Sequence, residues 1–182
     1  MGAYFPSISA DGRFVAFESP CNSLVPGDNN GTWDVFVRDR KEGTTEYVSV
    51  STAGVQGNVE SHNPSISADG RFVAFSSDAS NLVPGDNNGE GDIFVRDRKE
   101  GTTERVSVST AGVGNGTDAL SSYSFSSISA DGRFVAFSSS ATNLVPGDDN
   151  NGVMDIFVRG PLDDPANITT SIVSIANTVQ GN

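Results

Sequence analysis

The chain has 182 residues and a formal net charge of −12, which argues against docking on phosphate backbones or anionic membranes. Its single cysteine excludes an intrachain disulfide. No apolar run approaches the ~20 residues of a spanning helix, and the opening residues lack the charged-then-apolar plan of a signal peptide. Met1-Gly2 reads as a start added to a trimmed segment.

Along the chain, Pro6-Ser7-Ile8-Ser9 predicts a short first strand. Asp11-Gly12 supplies a tight turn, because Gly tolerates positive φ and Asp bonds its own backbone. Arg13 to Ser19 is a second strand, and a loop holding Pro26-Gly27 and Asn30-Gly31 follows it. Asp34 to Asp39 is a third strand, Lys41-Glu42-Gly43 a turn, and Thr44 to Ser51 a fourth, more polar strand alternating at Val48 and Val50. The same order then begins again. Ser7 to Phe17 recurs at Ser65 to Phe75 and Ser127 to Phe137, 58 and then 62 residues apart. Leu24 to Arg38 recurs from Leu82 to Arg96 and from Leu144 to Arg159. The division is therefore 1–58, 59–116 and 117–182.

Phe14-Val15-Ala16-Phe17 and Val35-Phe36-Val37 are apolar on consecutive residues. Successive strand side chains point to opposite faces, so both faces of each sheet need cover. An all-β meander of four antiparallel strands, covered on both sides and repeated at this period, predicts three blades of a β-propeller. Three blades are too few to close a ring, and an open stack leaves two apolar faces bare. The last residues, Val179-Gln180-Gly181-Asn182, repeat Val55-Gln56-Gly57-Asn58, which lead into the next blade. The expectation is a homodimer closed head to tail into six blades, with a nine-bladed trimer as the weaker alternative.

Pro-Ser-Ile-Ser-Ala-Asp-Gly-Arg-Phe-Val-Ala-Phe from Pro64 to Phe75, followed by Asp-Ile-Phe-Val-Arg-Asp from Asp92 to Asp97, resembles the TolB-like (WD40-like) propeller repeat. The resemblance covers nearly the whole chain. It implies a ring, most often six-bladed, in periplasmic or secreted bacterial proteins that bind partners through the ring face.

The strongest site candidate is the loop Asp28, Asn30 and Asp34, with its equivalents Asp86, Asn88, Asp92 and Asp149, Asn151, Asp155. Relative to the loop glycine, oxygen side chains stand at −3, −1 and +3, three of the four side-chain positions of a calcium loop. The fourth is Pro26, Pro84 or Gly147, so carbonyls and water would have to complete the shell. The alternative is that these residues cap turns and brace the third strand. Arg13, Arg71 and Arg133 are expected to pair with acidic neighbours, and Arg38-Asp39-Arg40 to be a solvated edge. His62, the only histidine, is expected at the surface, Trp33 in a gap at the blade edge, and Cys21 half-buried.

No Ser-His-Asp set, zinc spacing or phosphate loop is present in the sequence. The reading is a non-enzymatic scaffold that binds a protein, peptide or glycan, without nucleic acid or membrane. The alternatives are a metal-dependent hydrolase with its site on the ring axis, and an evolutionary or designed fragment without a function of its own.

Overall fold

A computed structural model describes residues 2–114, 124–146 and 153–174. The described residues contain twelve strands and no helix, arranged as three four-stranded antiparallel sheets. Blade 1 comprises β1 (Tyr4–Ile8), β2 (Phe14–Ser19), β3 (Asp34–Asp39) and β4 (Thr44–Tyr47). Blade 2 comprises β5 (Ser61–Ile66), β6 (Phe72–Ser77), β7 (Asp92–Asp97) and β8 (Thr102–Arg105). Blade 3 comprises β9 (Ser126–Ile128), β10 (Val135–Ser139), β11 (Asp155–Gly160) and β12 (Thr169–Ile172). Strands follow chain order within each sheet, and β1, β5 and β9 lie next to one another where the blades converge.

The Ser-x-Asp-Gly-Arg turn is built by its own side chains. Asp11 Oδ1 accepts from the Ser9 hydroxyl (2.6 Å) and the Arg13 N–H (2.9 Å), while Gly12 sits at φ +71°. These bonds hold the Asp11 carboxyl below its ordinary range, the Ser9 hydroxyl first. Arg13 then reaches the end of the neighbouring strand β3, where Asp39 pairs with Phe14, donating from Nη2 to Asp39 Oδ2 at 2.7 Å and from Nε to Oδ1 at 3.0 Å. Arg71 and Asp97 repeat the pair, and Arg133 meets Asp163 in blade 3. Asp39 is buried and also accepts from the Lys41 and Glu42 N–H groups. Arg38 and Arg40 are exposed, as expected of a solvated edge, but Asp39 between them belongs to a clasp joining the β2 start to the β3–β4 turn. Alternating charge misleads there because the partner of Asp39 lies 26 residues upstream.

The fourth strand also departs from expectation, ending at Tyr47 instead of Ser51. The Val50 N–H donates to the Val48 carbonyl at 2.7 Å, a tight turn that breaks the ladder. Val48 and Val50 are buried as the chain crosses to the next blade.

Two apolar clusters fill the two seams. Blade 1 offers Ala16, Val35, Val37 and Val48 to Ile66, Val73, Phe75 and Phe94 of blade 2. Blade 2 in turn offers Ala74, Ile93, Val95 and Val106 to Ile128, Val135, Phe137 and Phe157 of blade 3. Alternation along β6 and β7 thus feeds both clusters, as the doubly apolar strands require. The seams share their polar bonds too. Ala10 N–H donates to the Ala68 carbonyl and Ala68 N–H to the Ala130 carbonyl, both at 2.9 Å. Ser7 Oγ accepts from Ile66 N–H and Ser65 Oγ from Ile128 N–H. Phe14 covers Gly70 and Phe72 covers Gly132 so closely that a Cβ at either glycine would collide with the ring.

Candidate functional site

The β2–β3 loop brings Asp28 and Asn30 to the base of β3, where Asp34 is fully buried. Asp34 Oδ1 accepts from the Ser49 hydroxyl at 3.0 Å, and Ser49 Oγ accepts from the Val35 N–H at 3.1 Å. The arrangement recurs as Asp92, Ser107 and Ile93, and as Asp155, Ser174 and Ile156. One carboxylate oxygen in each blade therefore braces the third strand. The other oxygen distinguishes the blades.

In blade 1, Asp34 Oδ2 and Asp28 Oδ1 are buried and have no hydrogen-bond partner. Burial pushes Asp34 up to about 6, against the opposing pull of Tyr47, Asn30 and Ser49, and raises Asp28 as well. Asn30 Nδ2 donates to the Tyr47 hydroxyl at 2.8 Å and to the Gly57 carbonyl at 3.1 Å. Burial first, and then Asp34, raises the Tyr47 phenol.

In blade 2 the place of Tyr47 is taken by Arg105. Its Nη1 donates to Asp86 Oδ1 at 3.0 Å and Asp92 Oδ2 at 3.3 Å, and Asn88 Nδ2 donates to Asp92 Oδ2 at 3.2 Å. Burial raises Asp92, while the Ser107 hydroxyl and Arg105 draw it back. A guanidinium thus stands between the two carboxylates that the sequence offers to a cation. In blade 3, Asp149 and Asn151 lie outside the described residues, and Ile172 stands at the Tyr47 position. Among the described residues, no three His, Cys, Asp or Glu side chains gather as a metal centre.

A second cluster was missed by sequence reasoning. His62 is buried rather than at the surface, with Nδ1 3.4 Å from Glu18 and Nε2 3.3 Å from Glu60. Burial pulls the imidazole pKa down, but the two carboxylates outweigh it and the net shift is upward. Trp33 packs between Tyr4 and His62, with centroids 5.6 and 5.9 Å away, filling the blade edge. Glu18 replaces the serines found at Ser76 and Ser138, and that departure from the repeat was the available signal. A third feature lies at the seam of blades 2 and 3. Arg98 stacks on Phe14 (4.4 Å) at the first seam, whereas Leu162 makes the corresponding backbone bond at the second. A cavity of about 310 Å³ remains there, lined by Phe72, Val95 and Leu162 with Arg71, Glu104 and Arg133 among the charged residues.

The two outer faces complete the picture. Ile8 is 58% exposed where Ile66 and Ile128 are 7% and 8%. On blade 3, Ile156 and Val173 are 42% and 56% exposed where Val35 and Val48 are fully buried. Phe134 is exposed, and no aromatic ring covers Gly12.

These sheets define a β-propeller architecture, here as three blades. No protein-family model and no curated protein sequence matches the chain. Among solved structures it is similar to a TolB from Agrobacterium tumefaciens, with TM-score 0.53 and 17% identity over 93% of this chain and 49% of that one. The β-propeller domain of the Trilobed protease from Pyrococcus furiosus gives 0.53 and 11% identity, covering 94% and 42%. Porphyromonas gingivalis dipeptidyl peptidase 4 gives 0.51 and 15% identity, covering 96% and 26%. The fold is thus that of TolB-like β-propellers, a fold that peptidases also carry, and the chain spans about half or less of each of these chains.

Proposed function

We propose that the chain is a non-enzymatic binding scaffold whose two outer faces close head to tail with those of a second copy, giving a six-bladed ring. The observation that carries this reading is the complementarity of the faces. Blade 3 leaves Ala136, Ile156, Val158 and Val173 on one side, the register equivalents of the blade 1 and blade 2 residues that face a following blade. Blade 1 leaves Ile8 exposed and Val15 and Phe17 half-buried, the equivalents of residues that receive a preceding blade, whereas Phe36 is already covered within the blade. Phe134 corresponds to the rings of Phe14 and Phe72, and Gly12 to the glycines beneath them. Arg40 is held on the Gly12 carbonyl (2.7 Å) as Arg98 is held on that of Gly70, ready to stack on a ring from a preceding blade. Each face is one half of a seam used twice within the chain, and a heterologous contact that closes makes a ring.

The ring would present its loops and the blade 2–3 cavity to a protein, peptide or glycan, in the periplasmic or extracellular setting that the sequence resemblance implies. Light scattering at micromolar concentration tests closure. The expected mass is twice the 18.9 kDa of one chain, falling to a single chain in Ile8→Asp or Phe134→Asp. A wild-type monomer refutes the reading.

A further inference from the structure

We propose that Asp28, Asn30 and Asp34 of blade 1 bind a hard divalent cation of the calcium class, and that Arg105 is the built-in substitute for that cation in blade 2. The two loops share Asp-Asn-Asn-Gly followed by Asp at the same spacing, and both Asp pairs are buried. In blade 2 a guanidinium reaches both carboxylates. In blade 1 the same place holds Tyr47, a neutral oxygen close enough to Asp34 to oppose the rise that burial gives its pKa, and each carboxylate keeps one buried oxygen that no donor reaches in good hydrogen-bond geometry. Buried carboxylates call for a counter-charge.

The donor set selects the ion. Asp28, Asp34, the Tyr47 hydroxyl and the Gly57 carbonyl are oxygen donors, and the Asn30 side chain joins them through a half-turn of its amide that gives up the bond from the Thr32 N–H (3.3 Å). No sulfur or imidazole joins them, which suits calcium over the softer transition metals. Asp34 is pre-positioned, because Ser49 fixes its other oxygen and with it the direction of Oδ2. The competing occupant is a shared proton, which would leave the loop indifferent to metal.

Terbium distinguishes the two. Trp33, the only tryptophan, directly precedes Asp34, so a lanthanide in this loop is excited through the indole. The expected result is sensitised terbium emission that calcium displaces and that Asp34→Asn abolishes. Tyr47→Arg, which installs the residue blade 2 carries at this position, should also abolish it while leaving the far-ultraviolet circular dichroism unchanged. Arg105→Tyr should add one calcium per chain in isothermal titration. Absence of sensitised emission with an unchanged melt in millimolar calcium overturns the proposal, as does emission that survives Tyr47→Arg. Failure of Arg105→Tyr to gain an ion overturns the role given to Arg105. These readings do not depend on ring closure, since both loops lie within one chain.

Discussion

Blades 1 and 2 are built from nearly the same residues at a fixed offset of 58, yet they live in different surroundings. Blade 2 is packed on both faces, and its buried acids are matched by Arg105. Blade 1 is packed on one face; its acids lack that match, and it carries Glu18 and Trp33 where blade 2 has Ser76 and Gly91. With the strand order and register shared, the few differing side chains and the uncovered face can be tested by substitution at paired positions.

The largest difference should come from the charge at the acid pair. Arg105→Leu leaves Asp86 and Asp92 buried without a counter-charge, which costs about 3–5 kcal/mol. Tyr47→Leu removes no charge and should cost about 1 kcal/mol. Urea unfolding of the two variants measures the gap, and equal losses would mean that Arg105 does not neutralise the pair.

Paired glycines probe the missing neighbour. Gly12→Ala and Gly70→Ala meet the same left-handed backbone, at φ +71° and +74°, and each loses about 1 kcal/mol for it. Gly70→Ala also drives a methyl into Phe14, adding about 1–3 kcal/mol. In a lone chain Gly12→Ala has no such ring above it, so beyond the shared backbone cost it should weaken self-association only. Comparing melting points with sedimentation at several concentrations separates these effects.

A smaller, pH-dependent difference belongs to His62. Its folded pKa is raised above the unfolded value of 6.5, so its contribution is full below that value and is lost as pH rises through the folded pKa. Glu18→Ser, the blade 2 arrangement, should flatten this loss in melts taken across neutral pH. An unchanged slope would show that Glu18 does not hold the imidazolium.

Much of this was legible in the sequence, for definable reasons. Phe14-Val15-Ala16-Phe17 announces a strand covered on both faces, and the repeat carries that inference to three blades. The early end of β4 was not legible, because Val48 and Val50 keep the alternation of a strand while a turn buries them. The Asp and Asn residues of the loop were visible either as a cation motif or as turn caps that brace the third strand, and the brace is what Asp34 makes through Ser49. Their decisive neighbour arrives on the fourth strand, where Tyr47, Arg105 and Ile172 are as unlike as three residues can be. Local spacing does not reveal which of these faces the acids; only the folded sheet brings β4 alongside β3.

The Ala10–Ala68–Ala130 series of backbone bonds has a direction: blade 1 donates, blade 2 accepts and donates, and blade 3 accepts. If the proposed ring closes through the same bonds, a junction made this way does not recognise which protomer supplies it, and halves should trade places between rings. Mixing a chain crippled at Ile8 with one crippled at Phe134 would then restore half of the junctions, because the intact end of each is the one the other needs.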